Sequence, residues 1–195
     1  GVIQQKNNDY NPPEHDFNIL YVSDFLPYKH NFIVAKAVSE LISEGFNLKL
    51  NLIGKKDKTE YNKISNLIES NDLFKDRINI LGSLDYDKVV QYYKKTSLFI
   101  FASTCENLPF IILEAMSFGL PIISSDKNPM NDIIKGENVF FKSDDINSIK
   151  SIILDNTSKE KLLRLSKENF MASKKFNWTN NITETLDFFY NDKVL

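Results

Sequence analysis

Short apolar runs alternate with longer amphipathic stretches along most of this chain. Bursts of strand length fall at 18–23, 48–53, 78–81, 97–101, 121–124 and 139–141. Helix-period segments lie between and after them, at 31–44, 58–70, 85–94, 109–118, 128–134 and 146–154. Such alternation predicts an α/β domain built on a doubly wound parallel sheet of about six strands. Beyond Thr157 the pattern becomes wholly helical, at 159–176 and 179–190; Ile182, Leu186 and Phe189 share one face of the last segment, with Phe188 and Tyr190 beside them. The opening 1–16 stretch, with Asn8-Asp9-Tyr10-Asn11-Pro12-Pro13, is polar and aperiodic, a linker composition.

The chemistry concentrates after the fourth apolar run. Pro109 sets a φ suited to the first helical position, so Ser103 to Pro121 reads as strand end, short loop and helix. Glu106 falls in the loop and Glu114 about five residues into the helix, roughly 7 Å along its axis. Two carboxylates then overlook one crevice. The helix start offers the unpaired amides of Leu108, Phe110 and Ile111 and the positive end of a dipole, which attract phosphate. A carboxylate beside that site repels phosphate and is suited to accept hydrogen bonds from hydroxyls. Phosphate with hydroxyls suggests a nucleotide sugar.

Glu106-Asn-Leu-Pro-Phe-Ile-Ile-Leu-Glu114-Ala-Met-Ser-Phe-Gly-Leu-Pro121-Ile-Ile-Ser-Ser-Asp126 resembles the Glu-x7-Glu signature of retaining GT-B glycosyltransferases, the glycosyl transferases group 1 family. The likeness extends in order through Ile19 to Lys29, Leu52-Ile-Gly54, Ile80-Leu-Gly82 and Phe176-Asn-Trp178. It implies the C-terminal, Rossmann-like donor-binding half of a two-domain enzyme that moves a sugar, with retention, from a nucleotide diphosphate sugar to a glycan or lipid-linked acceptor. Bacterial members of the family often build surface polysaccharide. On this resemblance 1–16 is a linker from a missing acceptor domain, 17–176 the nucleotide-sugar-binding domain and 177–195 a crossover helix. With Gly1 first and methionine only at 116, 130 and 171, a fragment is expected, Gly1 being a cleavage scar. Without its partner domain, the aromatic face of the last helix is open to weak self-association.

The resemblance also distributes roles. Glu114 would hold the ribose hydroxyls, Glu106 would contact the donor sugar, and Lys29 would neutralise the diphosphate. Asn107, Leu108, Pro109, Phe110 and Ile111 line the donor site, and Gly82, Ser83 and Leu84 offer backbone contacts to the base. One departure stands out: where the family has an arginine, about five residues before the lysine, this chain has Asp24. An aspartate cannot fork to phosphate oxygens. That substitution favours an alternative, a non-catalytic nucleotide-sugar-binding or interaction module; glycoside hydrolysis by the paired carboxylates ranks below both.

Composition narrows the classes further. A chain of 195 residues with 42% apolar and 26% charged positions is ordinary for a folded domain. A net charge of −2 and a pI near 5.8 leave no electrostatic footprint for nucleic acid. No apolar run approaches a membrane span, so a cytoplasmic location is expected, with the full-length protein free to associate peripherally with the inner membrane. Asp85 and Asp87, and Asp144 and Asp145, read as helix-capping acids rather than metal ligands. With two histidines, His15 and His30, and one cysteine, Cys105, no metal site or disulfide is expected, and Cys105 reads as a partly buried thiol. No cofactor is called for beyond the nucleotide sugar itself. Phosphate-loop and dinucleotide glycine spacings are absent.

Overall fold

In a computed structural model, which describes residues 2–12 and 16–191, six strands form one parallel sheet. They are β1 (Phe17–Val22), β2 (Leu48–Ile53), β3 (Ile78–Gly82), β4 (Leu98–Phe101), β5 (Ile122–Ser125) and β6 (Phe140–Phe141). Their spatial order is β3-β2-β1-β4-β5-β6. Ile19 pairs with Leu50 on one side and Leu98 on the other, and Ile100 pairs with Ile123. A parallel sheet covered on both faces has no wet side, which is why β4 and β5 are buried at every position instead of alternating.

The principal helices are α1 (Asn31–Ser43), α2 (Lys58–Glu69), α3 (Asp72–Lys75), α4 (Tyr86–Tyr93), α5 (Phe110–Ser117), α6 (Met130–Ile133), α7 (Ile146–Asp155), α8 (Lys159–Ser173) and α9 (Trp178–Asn191). Six of them form two packing groups, α1 with α2, α3 and α7, and α5 with α8. Their starts are chemically marked: Asp57, Asn71, Asp145 and Ser158 each accept backbone N–H bonds in the following first turn. Asp85 occupies the cap position of α4, but its carboxylate accepts no such bond.

Several boundaries differ from the sequence expectation. Pro109 is the residue before α5, not its first member. The segment expected as helix 128–134 contains only the single turn α6, which begins after Pro129. The one-turn α3 and a 3-10 turn over Pro27–Lys29 are too short for any periodicity to reveal.

The polar opening segment is fastened by long-range bonds. Gln4 donates to the Ser173 carbonyl, Asn8 to Ser166 and the Tyr10 hydroxyl to the Ser97 carbonyl, while Val2 bridges to Asn177. His15 lies outside the described residues. At the other end, α9 packs on the 3-10 turn Lys174–Phe176 and exposes Trp178, Ile182, Leu186, Phe188, Phe189 and Tyr190.

At the carboxyl edge of the sheet the loops are laced together. Ser23 N–H donates to Ile53, Phe25 N–H to Lys55 and Gly54 N–H to Gly82. Gly54 has φ +152°, and a Cβ there would lie 2.0 Å from the Ser23 carbonyl oxygen. Only glycine permits this approach. Gly54→Ala is therefore expected to lower stability by about 2–3 kcal/mol, through strain and the parting of the two loops. Urea denaturation measures it; an unchanged midpoint would show that the loops do not need the contact.

Candidate active site

The strand order reverses between β1 and β4, and in open α/β sheets ligands bind outside the carboxyl ends of the strands flanking such a point. The loops leaving β1 and β4 meet there. Tyr21, buried in β1 with its ring edge-on to Phe101 at 5.9 Å, donates its hydroxyl to the Lys29 carbonyl at 2.6 Å. Burial above all pushes this phenol's ionisation well up, so it remains a donor. Thr104 N–H donates to the Tyr28 carbonyl at 2.9 Å. These two bonds fix the backbone on either side of the crevice.

Held this way, the Lys29 ammonium forms an ion pair with Glu106 Oε1, both side chains being only 14% exposed. The ammonium also lies 5.2 Å from the Tyr28 ring centre and 5.4 Å from that of Phe101. The cation and the first carboxylate of the bracket, 77 positions apart in the chain, thus meet at the switch point. Behind them, Ser124 and Ser125 hydroxyls donate to the carbonyls of Phe101 and Ser103, securing the end of β4.

Glu114 occupies the fifth position of α5 and is half-buried. Its Oε2 accepts the Tyr93 hydroxyl at 2.9 Å. Together with Tyr86, Phe110, Ile111, Trp178, Val2 and Ile3 it lines a cavity of about 330 Å³. Burial, then the neighbouring Glu114 charge, raises the ionisation of both Tyr93 and Tyr86, so both phenols stay protonated. The start of α5 carries no side-chain cap, and among the described residues the amides of Leu108, Phe110 and Ile111 have no bonded acceptor. Phe110 and Leu108 are exposed and Pro109 is buried. The structure therefore brings Glu106 to Lys29, and Glu114 to Phe110, Ile111 and two tyrosines. Neither tyrosine was singled out from sequence, where both read as ordinary members of an amphipathic helix.

The remaining candidates take clear places. Gly82, with φ +72°, closes β3 and accepts from Gly54, while Ser83 is exposed and Leu84 half-buried just before α4. Asp24 Oδ1 accepts the Lys55 N–H at 2.9 Å, so this residue serves to tie the β1 and β2 loops together. Cys105 is exposed rather than partly buried, because the loop turns it outward beside Ser103 and Glu106. Among the described residues no group of three His, Cys, Asp or Glu side chains is placed to hold a metal ion, and no helix is long and apolar enough to cross a membrane.

A parallel sheet in the order 3-2-1-4-5-6, with a lysine–carboxylate pair and an open helix start at its switch point, defines a Rossmann-like α/β domain. The chain belongs to the glycosyl transferases group 1 family, whose profile matches residues 2–171. It is 31% identical over 172 residues to an uncharacterized glycosyltransferase of Methanocaldococcus jannaschii, covering 87% of this chain and 46% of that protein. Among solved structures it is similar to sucrose-phosphate synthase from Thermosynechococcus elongatus, with TM-score 0.79 and 20% identity over 92% of this chain and 46% of that one. It is also similar to Anabaena HepE in complex with UDP and glucose, with TM-score 0.70 and 22% identity over 89% and 48% of the respective chains. These structural likenesses establish a shared GT-B-type fold. The chain spans about half the length of each of these three proteins.

His30 adjoins this site, with φ 55° and Nε2 3.3 Å from Thr104 Oγ1. Burial holds its ionisation below the usual histidine range, partly offset by Asp144 and Glu60. The unfolded chain then binds the proton more readily. Stability present above the ordinary histidine range is lost as pH falls through the lowered folded value. His30→Gly, which suits a positive φ, is expected to lose less stability between about pH 7.5 and about pH 5 than the parent. Denaturant midpoints at the two pH values decide it, and equal losses would remove His30 from the pH response.

Proposed function

We propose that this domain binds the donor of a retaining glycosyltransferase, holding a nucleotide diphosphate sugar for transfer to a glycan or lipid-linked acceptor, as in bacterial surface polysaccharide assembly. The observation that carries the reading is the meeting of Lys29 and Glu106 at the β1/β4 switch point. A diphosphate brings the charge that Lys29 can take in exchange for Glu106, and the Leu108, Phe110 and Ile111 amides supply further donors. Freed from the lysine, Glu106 turns to the sugar hydroxyls and favours positive charge at the anomeric carbon. As the anomeric C–O bond to the diphosphate breaks and the acceptor hydroxyl oxygen bonds to that carbon, the acceptor's proton passes to the departing phosphate oxygen, and the negative charge growing on the diphosphate is met by the same lysine and amides. Glu114 accepts from the ribose hydroxyls, with Gly82, Ser83 and Leu84 beside the base. The catalysis is positioning and charge stabilisation, and needs the acceptor side in place.

Membership of a glycosyltransferase family and a fold shared with a protein crystallised with UDP and glucose support this reading. Asp24 favours a second one, a binding module without turnover, since its carboxylate is spent on a backbone amide and brings no cation to the phosphates.

A thermal-shift panel of nucleoside diphosphates and their sugars tests binding by the domain. One nucleotide class should stabilise it, and Glu114→Ala should weaken that class by about 10- to 100-fold, the worth of charge-assisted hydrogen bonds. No stabilisation by any of them, or undiminished binding by Glu114→Ala, contradicts the assignment. In the full-length parent, Glu106→Ala should cut transfer about 100-fold or more while leaving the fold intact; a parent that binds donor without any transfer supports the module instead.

A further inference from the structure

Tyr93 is 1% exposed, and its ring is clamped between Phe99, at 6.2 Å, and Phe118, at 5.0 Å. A buried phenol must spend its O–H on an acceptor, and this one donates to Glu114 Oε2 at 2.9 Å. The donor comes from α4 and the carboxylate from α5, 21 positions on. Glutamate has three rotatable side-chain bonds, and α5 alone does not select among their rotamers. An immobile donor behind the carboxylate does. Tyr93 claims one oxygen from the protein side, whereas the exposed Tyr86, which also bonds Glu114, can give way to whatever enters the cavity that both line. Tyr86 is 53% exposed, so unlike Tyr93 it holds Glu114 within reach of solvent.

We infer that Tyr93 is a positioning residue: its buried hydroxyl locks Glu114 in the rotamer that presents one carboxylate oxygen to a vicinal diol, which makes it a determinant of selectivity for ribonucleotides over deoxyribonucleotides. The inference rests on the reading of Glu114 as a ribose holder. It adds that the selectivity depends on a side chain that never touches the ligand. Without Tyr93 the carboxylate is still present but is distributed over several rotamers, so ordering it becomes part of the cost of binding the diol. The deoxy ligand, which lacks one of the hydroxyls, forfeits less. The ring of phenylalanine preserves the packing on Phe99 and Phe118, so the two contributions separate.

The test is calorimetric titration of the domain with UDP and GDP and with their 2′-deoxy forms, taking the base that binds. The parent should prefer the ribonucleotide by about tenfold. Tyr93→Phe should bring the preference below about threefold, with deoxy affinity within about twofold of the parent. Tyr86→Phe should retain the preference. If Tyr93→Phe keeps the full preference while Glu114→Ala loses it, the positioning role is overturned and the ribose reading stands. If Tyr86→Phe loses the preference as completely as Tyr93→Phe, the buried hydroxyl is not the determinant and the inference is equally overturned. A parent without ribose preference overturns the ribose reading, and this inference with it. Should Tyr93→Phe not fold, Glu114→Gln decides: Tyr93 would claim the single amide oxygen and leave N–H groups facing the cavity, so the preference should fall below about threefold. A Gln variant that kept the tenfold preference would show an amide free to turn, which Tyr93 does not hold.

Discussion

Much of the site depends on the ion pair between Lys29 and Glu106. Each charge comes from the segment that follows a different central strand, and both are largely withdrawn from water. Neither is stable there alone, since an unpaired charge in such a place costs several kcal/mol by the usual order of magnitude. The pair therefore requires the loops after β1 and β4 to be held in register, and the structure supplies the means in the Tyr21 and Thr104 bonds and the serine bonds behind β4. The same requirement gives the crevice its chemistry. An anion that offers the lysine a better partner releases the carboxylate, so binding and activation of Glu106 become one event in the proposed reaction.

The second half of the site is organised differently. α5 begins behind a proline with its first amides open, and its fifth residue is a carboxylate supported from behind by a buried phenol. Charge is balanced by an ionic partner at Glu106 and by neutral donors at Glu114. That contrast suits two carboxylates with unequal tasks, one exchanging partners and the other staying in place. Asp24 belongs to neither half; it braces the loops beside them.

Much of this was legible in the chain. Short apolar runs such as Leu98–Phe101 read as strands, and six such bursts alternating with amphipathic segments led to the parallel sheet that is found. The bracket of Glu106 and Glu114 was visible because its members are close in sequence and share one helix start. What escaped was long-range or short. Tyr93 carries its message 21 residues from Glu114 through a hydroxyl, whereas its ring looked like any core aromatic. The opening segment has no periodicity because side-chain bonds from Gln4, Asn8 and Tyr10 hold it, and these leave no pattern in hydropathy. The purpose of Asp24 was hidden for the same reason, its partner being a backbone amide 31 positions away.

The switch-point crevice can be questioned directly by amide chemical-shift mapping during titration with a nucleoside diphosphate such as UDP. If the ligand sits as described, the largest shifts will fall on Lys29, Glu106 and the Leu108, Phe110 and Ile111 amides. The Lys29 ammonium should respond to the same titration. Shifts concentrated on the exposed face of α9, with those residues silent, would place the ligand elsewhere and contradict the site.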